Sequence, residues 1–176
     1  RMAVHAAADE VVRRATGEPG IAATRLVLTR LRADGRHELL VVDSDGENLR
    51  RITEDESIYS PTWSPDGRAI AFGATDYIES DQIVVRDMET GAEDVVTQRG
   101  LPAQTPTFAP DGDRLAFGLW IDGGMEIHDY SLERSCCLRR LSRASAASII
   151  DMHPSYSPDG RRIAFQSDRL GSPHIF

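Results

Sequence analysis

Long apolar runs are missing from this chain. No stretch approaches the roughly 18 consecutive apolar residues that mark a membrane-spanning helix, so no direct insertion into a bilayer is expected. A basic surplus is missing too: 20 Lys and Arg stand against 28 Asp and Glu, a net charge of −8. That balance argues against nucleic acid as a partner, because binding its phosphates needs a cationic footprint. Cysteine is scarce. Cys136 and Cys137 are the only two, and they are adjacent. Neighbouring cysteines close a strained ring, so free thiols or rare redox chemistry are expected, and no redox compartment follows from them. No basic start leads into an apolar leader. The chain nevertheless opens on Arg1 rather than Met and stops at Phe176 in mid-repeat, so it is expected to be an internal piece of a longer protein.

What is present is a repeat. Pro61-Thr62-Trp63-Ser64-Pro65-Asp66-Gly67 returns as Pro106-Thr107-Phe108-Ala109-Pro110-Asp111-Gly112 and as Pro154-Ser155-Tyr156-Ser157-Pro158-Asp159-Gly160, at spacings of 45 and 48 residues. Such a period means one supersecondary unit used several times. Each copy predicts an extended segment ending in an aromatic, then a tight turn. Proline presets φ, aspartate accepts from the backbone ahead of it, and glycine takes a positive φ. A second strand follows with a large–small–large pattern: Ile70-Ala71-Phe72, Leu115-Ala116-Phe117 and Ile163-Ala164-Phe165. Side chains alternate faces along a strand, so the large residues share one face and the alanines the other. A large face meeting the alanine face of the next copy interlocks.

Third strands are expected at 82–87 and 125–129, and fourth strands near 94–97 and 137–141. Four antiparallel strands per repeat, covered on both faces, describe a β-propeller blade. The fold class is therefore all-β, a partial propeller ring of two complete and two incomplete four-stranded blades, at about 25–53, 58–98, 103–142 and 151–176. The first blade lacks an inner strand, so a segment outside the chain is expected to supply it. The open edges predict marginal stability or aggregation for the isolated piece. Residues 2–16 are alanine-rich and free of Gly and Pro, which predicts a helix stopped by Gly17. Residues 1–20 are assigned to the end of an N-terminal α/β domain and its linker, and 21–176 to the propeller.

Catalytic patterns are absent. There is no Gly-x-Ser-x-Gly elbow, no His-Glu-x-x-His pair and no phosphate-binding glycine loop. The five histidines are scattered, and Cys136-Cys137 with His128 is not a zinc pattern. No enzyme activity, metal or cofactor is expected.

The repeat Pro-x-aromatic-Ser-Pro-Asp-Gly-x-x-(Ile/Leu)-Ala-Phe resembles that of the TolB-type propeller family. The stretch Thr16-Gly17-Glu18-Pro19-Gly20-Ile21, followed by Thr24-Arg25, is similar to the junction at which that family's N-terminal domain runs into its first propeller strand. The chain departs from the family at Ser135-Cys136-Cys137, where a glycine-containing turn is usual. The resemblance implies a periplasmic scaffold of the Tol–Pal system that binds the lipoprotein Pal. It implies contact with TolA through the N-terminal region, and a role in outer-membrane integrity and cell division. Similar repeats occur in propellers of prolyl-oligopeptidase-like serine hydrolases, where the ring gates peptide access, and in generic surface-binding propellers.

Propeller ligands meet the loops around one mouth of the channel. Here these are expected at 56–60, 101–105 and 150–153, with 76–81 and 120–124 on the same face. The resemblance places Thr105 and Met152 at the Pal-facing positions, with Gln104 and His153 beside them. Tyr59 and Trp120 join as exposed aromatics, which often anchor interfaces. Arginine at both Thr105 and Met152 is expected to weaken Pal binding at an unchanged melting temperature. Asp43, Asp87 and Asp129 recur at the ends of third strands and are expected to cap turns. Trp63, Phe108 and Tyr156 are expected in the packing between blades. The acidic stretch 76–81 reads as a solvated turn.

Overall fold

The computed structural model describes residues 2–18, 20–53, 57–75, 81–98, 100–143 and 148–176. Among the described residues, one helix precedes fourteen strands. Helix α1 spans Met2–Thr16 and ends at Gly17, whose φ of 79° and N–H bond to the Arg13 carbonyl at 2.9 Å close the last turn. Strands β1 (Arg25–Leu31), β2 (His37–Asp43) and β3 (Arg50–Arg51) form an antiparallel sheet. Together with α1 they make the compact unit Arg1–Asp55. Within it the Asp9 carboxylate accepts the Ala22 and Ala23 N–H groups, both at 2.7 Å, which fastens the helix to the linker.

The second unit, Glu56–Phe176, holds three more sheets. The first is β4 (Ser57–Trp63), β5 (Ala69–Thr75), β6 (Asp81–Asp87) and β7 (Glu93–Val95). The next is β8 (Ala103–Phe108), β9 (Arg114–Ile121), β10 (Gly124–Ser131) and β11 (Cys136–Arg140). The last is β12 (Asp151–Tyr156), β13 (Ile163–Ser167) and β14 (His174–Ile175). Neighbours in chain order pair antiparallel in each, the order of propeller blades. The acidic stretch at 76–80, and Glu56, lie outside the described residues.

The repeated turns follow the chemistry of their residues. The Ser64 hydroxyl donates to the Asp66 carboxylate at 2.7 Å, which also accepts the Arg68 N–H at 3.0 Å. Ser157 and Asp159 repeat this with Arg161. In the middle copy Ala109 has no hydroxyl, yet Asp111 still accepts the Asp113 N–H at 3.1 Å. The serine hydroxyl, then the backbone N–H, hold the carboxyls of Asp66 and Asp159 below the usual carboxylate range. Asp87 is lowered in the same sense, first by the Thr90 N–H and hydroxyl. A lowered folded value means stability that is present above the unfolded value and is lost as pH falls through the folded one. The doubly substituted Asp66→Asn, Asp159→Asn protein should therefore show a flatter fall of melting temperature between about pH 5 and about pH 3 than the parent. An unchanged slope in a calorimetric pH series would show that these turns contribute nothing to acid sensitivity.

The blades interlock through the alternation. Leu115, Phe117 and Leu119 on β9, with Phe108 on β8, pack onto Ala71 and Ile83 of the preceding sheet. The opposite face of β9 is small. A Cβ on Gly118 would come 2.7 Å from the Met125 sulfur and 3.2 Å from the Asp151 carbonyl of the following sheet. The inner strand of each later blade lies over its predecessor: β8 against β4, β5 and β6, and β12 against β8, β9 and β10. Phe108 is buried. The Tyr156 ring lies under the Arg114 guanidinium of the preceding blade at 5.9 Å. Burial, then the Asp129 carboxylate, pushes the Tyr156 phenol up to about 12. Trp63 is half-buried.

Two expectations are corrected. Cys136 and Cys137 are joined as a disulfide rather than free. Adjacent side chains on a strand point apart, but Ser135 and Cys137 have φ values of 49° and 69°, which turn the second side chain back toward the first. Asp129 is not a turn cap. It is buried and ion-paired, 2.6 Å from Arg139 and 3.6 Å from Arg114. Asp87 does cap its turn, accepting the Glu89 and Thr90 N–H groups at 2.9 and 2.7 Å. Asp43 accepts the Asn48 amide at 2.6 Å across its turn.

Candidate partner-binding face

The segments read as loops before each Pro-x-aromatic are strand. Tyr59 lies in β4, Gln104 and Thr105 in β8, Met152 and His153 in β12. Each strand bulges at this point: its register shifts between Tyr59 and Thr62, between Gln104 and Thr107, and between Met152 and Ser155. The bulged residue is the one before proline, and it is left-handed every time: Ser60 at φ 50°, Thr105 at 55° and His153 at 53°. Proline disfavours the right-handed helical region for its predecessor, and a bulge needs one residue out of the pleat. The two requirements meet at one position. Backbone in this region is costly without glycine and persists only where its surroundings hold it. Here the three sites line one cavity of about 210 Å³, with Pro61, Pro106 and Pro154.

Cross-blade hydrogen bonds fix this cluster. The His153 N–H donates to the Thr105 hydroxyl at 3.1 Å. The Gln104 amide donates to the Asp81 carboxylate at 2.8 Å, and the Tyr59 hydroxyl to the Ala103 carbonyl at 3.4 Å. Tyr59 is half-buried. Its ring lies on Gly73, where any Cβ would collide with it. Burial first, then Asp81, pushes its phenol pKa up. Thr105 is also buried. Arginine there would remove the hydroxyl that accepts the His153 N–H and would place a guanidinium at a buried position, so a fall in melting temperature is expected for that substitution. Met152 is half-buried and His153 exposed. Trp120, at the end of β9, is 39 % exposed. A two-residue Asp122-Gly123 turn follows it, both residues at positive φ, 51° and 86°, as a type I′ hairpin requires.

This face offers backbone and hydroxyl groups, one thioether, one imidazole and one indole. Among the described residues, no group of three His, Cys, Asp or Glu side chains is placed to hold a metal ion, and no helix is long and apolar enough to cross a membrane.

Residues 12–176 match the TolB beta propeller domain family. The chain belongs to that family. It is 35 % identical over its whole length to the Tol-Pal system protein TolB of Bordetella pertussis, and it spans 39 % of that relative. The crystal structure of TolB from Acinetobacter baumannii is similar over 99 % of this chain and 44 % of that one, with 30 % identity and a TM-score of 0.82. The tricorn protease is similar at 15 % identity and a TM-score of 0.62 over 84 % of this chain and 14 % of that one. This second likeness is one of fold alone. The TolB-family relatives are Tol–Pal system proteins, and the blades described here correspond to part of their length.

Sequence reasoning missed one buried cluster. Asp151, fully buried at the start of β12, accepts the Ser142 hydroxyl at 2.5 Å and both contacts of the Arg169 guanidinium at 3.0 and 2.9 Å. Arg169 also lies over the Phe165 and Phe176 rings, at 5.3 and 4.7 Å. The available signal was the acidic residue at 151, where the other inner strands carry Ile58 and Ala103.

Proposed function

We propose that this chain is the propeller part of a periplasmic, non-enzymatic scaffold of the Tol–Pal system, and that the bulged ends of β4, β8 and β12 form its Pal-binding face. The observation that carries the reading is the in-register set of left-handed residues before proline around one cavity, on a chain of the TolB family. The bulges place Gln104, Met152 and His153 along adjoining strands, with the buried Thr105 holding His153 from beneath, Tyr59 bracing the first strand and Trp120 at the rim. Pal is the partner, and the contact serves outer-membrane integrity and cell division. Helix α1 is the last element of a preceding domain, through which TolA is met. The held backbone supports a docking role, because a rigid surface loses little entropy on binding.

The test is calorimetric titration of the full-length protein with soluble Pal. Met152→Arg combined with Trp120→Ala alters two accessible side chains without touching the cross-blade bonds. It should weaken Pal at least about tenfold, a usual effect for interface anchors, with a melting temperature within about 2 °C of the parent. Full affinity in the double variant would remove this face from consideration.

A further inference from the structure

A second surface lies at the opposite end of the same strands. β8 runs from Gln104 at the bulged face to Phe108, roughly 13 Å away at strand rise, and there the outer parts of the second and third blades stand apart. Two adjoining cavities of about 710 and 540 Å³ fill the gap. Both are walled by Val95, Val96, Tyr130 and Ser135, so they form one groove. Its outer wall is low because β7 is only three residues long. Val95 is 56 % exposed and Leu138 48 % exposed, and both line it.

Blades fan outward, so some gap at the rim is ordinary. The fan does not account for the chemistry of this one. Apolar side chains, among them Val95, Val96, Leu132 and Leu138, line much of it, whereas charge gathers at the end beside the repeated turns. There Asp66, Asp94, Asp111 and Asp113 line it against Arg68. Asp66 is bonded within its turn and Asp111 lies 3.5 Å from Arg114. Among the described residues, the side chains of Asp94 and Asp113 make no ion pair. We propose that this groove docks a segment of a partner protein in which apolar side chains follow one or two lysines or arginines. The cationic end lies against Asp94 and Asp113, and the apolar side chains cover Val95 and Leu138. Opposite charge orients such a segment, while burial of the exposed valine and leucine supplies the attraction. This surface is separate from the bulged face and does not depend on it.

The experiment uses the full-length protein and two fluorescein-labelled peptides, Lys-Lys-Gly-Leu-Ser-Val-Ser-Leu and its counterpart beginning Glu-Glu, followed by fluorescence anisotropy. The lysine peptide should bind at least tenfold more tightly than the glutamate peptide and weaken as salt rises. Val95→Glu should weaken it at least tenfold. Asp94→Lys with Asp113→Lys should abolish the preference between the peptides. All three positions are exposed, and thermal melts check that the variants remain folded. Saturating Pal should leave the peptide bound, whether or not Pal itself occupies the bulged face. The proposal is overturned if neither peptide binds up to about 1 mM, if the two bind alike, if Val95→Glu has no effect, or if Pal displaces the peptide.

Discussion

Arg169→Met should cost about 3–5 kcal/mol of stability, because it strands a fully buried carboxylate. Asp151 has no exposure, and Arg169 is its only cationic partner among the described residues. The remaining donor, the Ser142 hydroxyl, satisfies one oxygen only. The arginine also contributes through its position over Phe165 and Phe176, a contact worth about 0.5–2 kcal/mol in comparable settings. Removing both charges, in Arg169→Met with Asp151→Asn, should cost less than removing the arginine alone, because no unpaired charge stays buried. A double-mutant cycle by urea unfolding of the full-length protein would read a coupling of at least about 1 kcal/mol. Additive losses would mean that the carboxylate reaches solvent once the arginine is gone. The cluster joins Ser142, after the last strand of one blade, to the first and second strands of the next. Its loss should therefore loosen the blade boundary rather than one hairpin.

Phe117→Ala should destabilise by a similar amount, about 3–5 kcal/mol, for a different reason. Phe117 is fully buried on the large face of β9, against the alanine face of the preceding blade. Ala71 cannot move into the space, because its strand is paired on both sides, to β4 and β6. The cavity should therefore persist, which places the cost toward the upper end of large-to-small substitutions. Val95→Ala, on an exposed edge strand, should stay within about 0.5 kcal/mol. Equal urea midpoints for the two variants would show that the interlock of large and small faces does not hold these blades together.

The wild-type contacts around both sites explain which parts of the molecule were legible in advance. Turns and strands were, because their causes are local. Ser64, Asp66 and Gly67 close a turn with bonds that span five residues at most. The Ile70-Ala71-Phe72 alternation declares two covered faces without any knowledge of what covers them. Helix α1 and its stop at Gly17 were legible for the same reason. The family junction at Thr16–Ile21 added the identity of the whole.

Contacts between blades were not legible, since nothing in the order of residues says which side chain of one repeat meets which backbone of the next. Tyr59 reads as an exposed anchor and is in fact braced against Gly73 and the Ala103 carbonyl, 44 residues on. Thr105 reads as a loop residue, but the His153 N–H, 48 residues on, makes it a buried acceptor. Within a single blade, too, Asp129 resembles the turn-capping Asp87 in sequence, but Arg114 and Arg139 on the strands flanking it pair with it instead. Even Cys136 and Cys137 depended on backbone handedness at 135 and 137. Local chemistry determined the blade; the stacking of one blade on another decided which of its polar groups are braces and which remain open to a partner.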